Sequence, residues 1–197
     1  MTTKVTADGT RVQLTTSTHP SYAEILSRLQ AGQTFLDAGC CFGQDLRKLL
    51  FDGAPSSKAM YGIDIEPAFF QLGYELFHDA DTLEASFLEA DLIKPQFPLP
   101  SLEPIQGRID VVSAQSLFHL FNLEGQKIVA RHLVGLTKPG PGAMIAGRQI
   151  GAIQAREGPG LASGRRSEGR RAAGGKCKRG RRNHRSVSSD RRGTNRI

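Results

Sequence analysis

The chain lacks any run of apolar residues approaching the ~20 that a membrane-spanning helix requires. Its first residues, MTTKVTADGTRVQLTTST, lack the apolar segment of a secretory signal. Both absences lead to the expectation of a cytoplasmic protein without membrane contact. Cysteine is scarce: 3 in 197 residues, with Cys40 and Cys41 adjacent. That excludes a disulfide framework and gives no zinc-ligand spacing, so the pair is expected to be small reduced residues near a turn, and no metal is expected. No internal repeat or heptad is present. What remains is an ordinary hydrophobic content of 39% in a chain long enough for one domain with its own core.

Basic charge is missing from most of the chain. Residues 151–197 hold 14 Lys and Arg against 3 Asp and Glu, whereas residues 1–150 hold 12 against 16. The net charge of +7 therefore averages a mildly acidic body and a basic tail. From Glu157 onward large apolar residues nearly vanish; Leu161 and Val187 stand almost alone before Ile197. Such a segment cannot bury enough surface to offset the entropy of ordering it. Residues 156–197 are expected to be a disordered basic tail, residues 1–19 a flexible leader, and residues 20–155 the domain.

Within that domain short apolar runs alternate with helical stretches. Pro20 opens a short helix with Tyr22, Ile25, Leu26 and Leu29 on one face. Strands are expected at 35–38, 59–65, 86–90, 109–114 and 142–147. Helices are expected from Gln44 to Phe51, stopped by Gly53, from Pro67 to about Phe77, and from about Leu123 to Leu136. A Pro-rich connection (Pro95, Pro98, Pro100, Pro104) precedes the fourth strand. The alternation implies an α/β fold, a Rossmann-like and mostly parallel sheet with flanking helices.

Ligands of parallel sheets bind beyond the carboxyl ends of the strands, where strand order reverses. Three features fall at such ends. Asp37-Ala38-Gly39-Cys40-Cys41-Phe42-Gly43 joins the first strand to a helix. Gly39 and Gly43 let the backbone turn tightly, and the following helix offers free amides that suit a carboxylate; the same pattern also serves an ordinary strand–helix turn. Asp64 ends the second strand, 27 residues after Asp37. An acid there can accept both hydrogen bonds of a ribose diol, or serve as a helix N-terminal acid in competition with Glu66. Asp91 ends the third strand, another 27 residues on, as an acceptor for an adenine amino group or as a turn aspartate. Three successive strand tips carrying these residues form a stronger pattern than any one of them. The glycine spacing departs from Gly-x-Gly-x-x-Gly, which argues against a nicotinamide dinucleotide.

Phe35-Leu36-Asp37-Ala38-Gly39-Cys40-Cys41-Phe42-Gly43 resembles the first motif of class I S-adenosylmethionine (SAM)-dependent methyltransferases. Tyr61-Gly62-Ile63-Asp64 resembles the second, Ala90-Asp91 the third and Ile109-Asp110-Val111-Val112-Ser113 the fourth, with Leu136-Thr137-Lys138-Pro139-Gly140 similar to the turn before strand five. More narrowly, Gly39 to Leu49 and Gly147-Arg148-Gln149-Ile150-Gly151 look like small fungal methyltransferases of terpenoid–polyketide (meroterpenoid) biosynthesis, some of which methylate carboxyl groups. The resemblance covers about residues 19–160. It implies SAM as cofactor, held by Asp37, Gly39, Cys40, Gly43, Asp64, Ile65, Ala90, Asp91 and Ser113, and a small-molecule acceptor methylated at a carboxyl or hydroxyl oxygen. In that family a further helix and an antiparallel strand pair follow strand five. Here Gly-Arg-Arg-Ser-Glu-Gly-Arg-Arg stands instead, so those closing strands are expected to be absent; a shifted frame or a mis-spliced gene model would produce such a tail.

Methyl transfer from a sulfonium needs mainly alignment, and well-oriented reactants remove roughly 7–11 kcal/mol of barrier. A hydroxyl acceptor profits from a base; a carboxylate does not. His119, just past strand four, is the candidate base, or else a partly buried histidine satisfied by backbone. Phe118 and Phe121 line an apolar pocket or belong to the core. Two rival readings remain: a methyltransferase-like protein without turnover, and a nucleic-acid binder gripping phosphates through its tail, non-specifically and with strong salt dependence. The tail lacks the interleaved aromatics of a single-strand binder, which leaves a solvated tail as the simpler expectation.

Overall fold

Each apolar run between Phe35 and Ala146 becomes a strand, and the amphipathic stretches between them become helices. The computed structural model describes residues 13–151. The first 12 residues and the basic tail lie outside the described residues, as do the expectations made for them and for closing strands. The elements are α1 (Tyr22–Gln30), β1 (Phe35–Ala38), α2 (Gln44–Phe51), β2 (Met60–Asp64), α3 (Ala68–Phe77), β3 (Ser86–Glu89), β4 (Val111–Ser113), α4 (Leu123–Leu136) and β5 (Met144–Ala146). Single 3₁₀ turns occur at Thr16–Thr18 and Phe118–Leu120, and a longer 3₁₀ segment at Pro100–Ile105.

The sheet is parallel throughout, in the order β3-β2-β1-β4-β5. The chain runs outward from β1 to β3, then returns to pair β4 against β1. The order therefore reverses between β1 and β4, which creates a crevice at their carboxyl ends. Alternation along the strands feeds two cores. Phe35, Met60 and Val111 pack on one face with Ile25, Leu46 and Leu49 of α1 and α2. Leu36, Ile63 and Val112 pack on the other with Leu102, Ile105, Leu133 and Leu136. Both faces of β1 are covered, so all four of its residues are buried, Asp37 included. The Asn122 side chain accepts the Gly125 amide at 2.9 Å and starts α4, a cap worth about 1 kcal/mol.

Helix 44–51 matches the sequence expectation residue for residue, and helix 123–136 matches it closely. β1 also matches its expected bounds, whereas the other four strands are shorter than expected, β4 for an identifiable reason. Asp110 leaves the ladder because its carboxylate accepts the Thr34 amide (2.8 Å) and the Lys138 ammonium (2.7 Å), and Ile109 makes only an isolated bridge to Thr137. Pro67 sits at the N-cap of α3, one residue before the helix it was expected to open. Residues 13–19 depart most from expectation. Thr16 is fully buried, and this end of the leader is held against α2 and β4 as a strap.

Candidate functional site

The turn after β1 is built by three left-handed residues. Gly39 (φ 79°) and Gly43 (φ 68°) adopt this conformation freely, and Cys41 (φ 51°) adopts it at a cost of roughly 1–2 kcal/mol. Hydrogen bonds hold the strain. The Gly39 and Cys40 amides donate to the Ile63 carbonyl at 2.8 and 3.0 Å, and the Gly43 amide donates to the Cys40 carbonyl at 2.8 Å. The Cys41 amide donates to Asp64 Oδ2 at 2.8 Å. Backbone strain maintained by its surroundings is a mark of functional loops. Burial pushes both thiols above their ordinary range, and the charges of Asp37 and Asp64 add to this at Cys40. Neither cysteine is a thiolate at neutral pH.

Asp64 closes β2 with its carboxylate against this turn. Its Oδ1 accepts the Glu66 amide at 3.2 Å, while Glu66 Oε1 accepts the Ala68 amide at 3.1 Å. The capping of α3 thus falls to Glu66, and each Asp64 oxygen keeps a further lone pair for a ligand. Next to it Ile65 stands 63% exposed. Ile65, Ala90 and Asp91 line one cavity of about 600 Å³, together with Leu88, Lys94 and Leu99. Asp91 Oδ1 accepts the Ile93 amide at 3.2 Å, so it is a turn aspartate that also faces the cavity.

The crevice is strongly acidic. Asp37 is 4% exposed, and among the described residues no donor or cation reaches its carboxyl. Burial first, then the charges of Asp45 and Asp64, hold its pKa well above the usual carboxylate range. Asp45, in the first turn of α2, is also pushed up by burial, against the hydrogen bonds of the strap. It accepts the Thr15 amide at 3.1 Å and the Thr15 hydroxyl at 2.7 Å. Thr16 Oγ1 lies 3.1 Å from Ser113 Oγ, which is fully buried beneath it. Ser17 Oγ, Gln44 Oε1 and Gln115 Nε2 are buried without a partner. They belong to the strap, the start of α2 and the exit of β4, the segments that bound the crevice. Unpaired buried polar atoms cost about 1–3 kcal/mol each unless a ligand or water satisfies them.

On the β4 side, His119 sits in the 118–120 turn. Its amide and its Nδ1 each lie 3.4 Å from Gln149 Oε1. Gln149 Nε2 donates to the Ala114 carbonyl at 2.8 Å, which fixes the amide group beside the histidine. Phe118 and Phe121 are partly buried and pack on the core.

The structure thus brings Asp37, Gly39, Cys40, Gly43 and Asp64 together around one turn, and Ile65, Ala90 and Asp91 around one cavity. It sets Ser113 under the strap and His119 on the far side of the strand reversal. The strap residues Thr15 and Thr16, the orphaned Gln115, and Gln149 as the neighbour of His119 were not singled out from sequence. A buried threonine in a polar leader carries no periodic signal.

A parallel sheet of this order, flanked by helices, has the fold of class I methyltransferases. It is similar to PKMT2 of Rickettsia typhi, at a TM-score of 0.50 and 18% identity over 68% of this chain and 26% of that one. No family model matches the chain. Among characterised proteins it is a homologue of fungal methyltransferases. It is 45% identical over 143 residues to the O-methyltransferase phiE of a fungal species, covering 72% of this chain and 47% of that protein. It is 38% identical over 139 residues to the asnovolin E/chermesin D methyltransferase nvfJ of Aspergillus novofumigatus, covering 71% and 49%. The chain spans about half the length of these relatives.

Proposed function

We propose that the chain binds SAM in the crevice between β1 and β4 and serves methylation of an oxygen on a small secondary metabolite, of the terpenoid–polyketide class. The observation that carries this reading is Asp37: a buried, unpaired acid beside two others calls for a cationic ligand, and SAM brings an ammonium and a sulfonium. Asp64 and the Cys41 turn suit a ribose diol, and the cavity beside Ile65, Ala90 and Asp91 offers apolar contact from Ile65 and Leu99 and acceptors such as Asp91 for an adenine. The orphaned groups of Gln44, Gln115 and Ser17 give further polar partners around the same crevice. The names of the relatives, an O-methyltransferase and a methyltransferase of two fungal metabolites, support the reaction class and the kind of acceptor.

SAM supplies an activated methyl group with a neutral leaving group, so this chain's residues have to bind and orient. Asp37 balances cationic charge within the crevice. His119 accepts the proton of a hydroxyl acceptor. An Nδ1–H directed at Gln149 Oε1 leaves the Nε2 lone pair free for that task. A carboxylate acceptor needs no such base.

Calorimetry of the full chain with SAM tests binding, and mass detection of a product 14 Da heavier tests transfer. Asp64→Ala should weaken SAM far more than it lowers the melting temperature. Absence of SAM binding by the wild-type chain overturns the proposal; binding without any methylated product from an extract rich in fungal metabolites removes the transferase part of it.

A further inference from the structure

We infer that Arg47 and Asp79 form a positioning device for the nucleoside site, holding the Cys41–Phe42 segment so that the Cys41 amide orients Asp64. Arg47 lies on α2 with its side chain 9% exposed, and Asp79 follows α3. The guanidinium forks onto Asp79, Nε to Oδ2 at 2.6 Å and Nη2 to Oδ1 at 2.9 Å. Its remaining arm, Nη1, donates to the Phe42 carbonyl at 2.5 Å. The rings of Tyr74 and Phe77 lie 5.5 and 4.6 Å from it. Each of the three guanidinium nitrogens donates to an acceptor in one plane, which a lysine could not reproduce.

The target of that third arm matters. Phe42 directly follows Cys41, the non-glycine residue with φ 51°. The two ends of this dipeptide are tied separately: the Cys41 amide to Asp64 and the Phe42 carbonyl to Arg47. Helix α3 closes the remaining side. A Cβ on Gly73 would stand 2.4 Å from the Phe42 oxygen, so the helix backbone is pressed against the same carbonyl. A tie between α2 and α3 alone would require only the Arg47–Asp79 fork. The additional bond to a loop carbonyl, next to a strained residue that carries the Asp64 contact, links the pair to the diol-binding acid.

This inference rests on the proposal that Asp64 holds a ribose diol. The experiment is calorimetry of S-adenosylhomocysteine and its 2′-deoxy analogue on the full chain, for wild type, Arg47→Lys and Asp79→Asn, with circular dichroism to establish folding. Wild type should discriminate against the deoxy analogue. In the folded variants affinity for S-adenosylhomocysteine should fall about tenfold and the discrimination should shrink, as coupled neighbours behave. A merely structural pair would lower the melting temperature and leave the discrimination intact, which overturns the inference. Asp79→Asn keeps the cation and serves if Arg47→Lys does not fold. No binding by the wild-type chain overturns the SAM reading itself, a result distinct from unchanged discrimination in a chain that binds.

Discussion

Replacing Gly73 with alanine sets two effects of known size against each other. In the middle of an exposed helix this change stabilises by about 1 kcal/mol, through helix propensity and a less flexible unfolded chain. Gly73 is buried, and the added methyl would meet the Phe42 carbonyl oxygen at 2.4 Å. That oxygen belongs to a backbone held by Arg47, not to the end of a mobile side chain. Overpacking of this kind costs about 1–3 kcal/mol, and a pinned backbone places it toward the upper end. The net expectation is a loss of about 1–2 kcal/mol, or roughly 2–8 °C in melting temperature for a domain of this size. Thermal melts followed by circular dichroism read it directly. Ser27→Ala on the exposed face of α1 is the control and should raise stability by a few tenths of a kcal/mol. A Gly73→Ala chain that melts above wild type would refute the packing of α3 against the turn, and with it one side of the clamp around Phe42.

Asp37 predicts a pH effect. Its raised pKa means that the folded chain takes up a proton before the unfolded chain does, so stability of the ligand-free protein grows as pH falls through the folded pKa toward the ordinary carboxylate range. A cationic ligand favours the ionised acid, so SAM binding should release a proton and weaken as pH falls; titrations in buffers of different ionisation enthalpy detect it, and equal heats in all buffers contradict it. Asp37→Asn should stabilise the free chain at neutral pH and reduce the pH dependence of binding, the remainder coming from Asp45. Asp45→Ala removes the acceptor of the Thr15 amide and hydroxyl, and limited proteolysis should then cut near Thr15 at a rate well above wild type; an unchanged cleavage rate rejects the latch. His119→Ala should slow methylation of a hydroxyl acceptor by about 10²–10⁴-fold with SAM affinity unchanged, and leave a carboxylate acceptor unaffected.

Much of this architecture was legible in the sequence because strand and helix write different periods. The apolar spacing of 44–51 marked one helix to the residue and that of 123–136 another closely, and the glycines at 39 and 43 marked the turn that the backbone angles display. The three strand-tip acids were legible by position. Their individual surroundings were not, since hydrogen bonding depends on partners distant in sequence. Glu66 takes over the capping that Asp64 could have performed, which frees Asp64 to meet the Cys41 amide 23 positions earlier. The strap was hidden for a different reason. Thr15 and Thr16 act through hydroxyls and one amide, and polar residues in a Thr-rich leader look alike whether solvated or buried. Arg47 stood inside a motif read for its family likeness, yet its role depends on Asp79, which no spacing rule connects to it.

The reversal of strand order has a further consequence for how such a chain can diversify. The residues proposed to hold the nucleoside, from Asp37 to Asp91, lie in one continuous stretch of sequence, and its three strands are neighbours in the sheet. His119 and Gln149, the pair proposed to serve an acceptor, come later, in the segments that follow β4 and β5. The two stretches are not independent, because β4 pairs with β1 and Leu36 and Ile63 share a core with Leu102, Ile105 and Leu133. A change in the later stretch is therefore felt along β1, and the earlier stretch constrains what the later one can become.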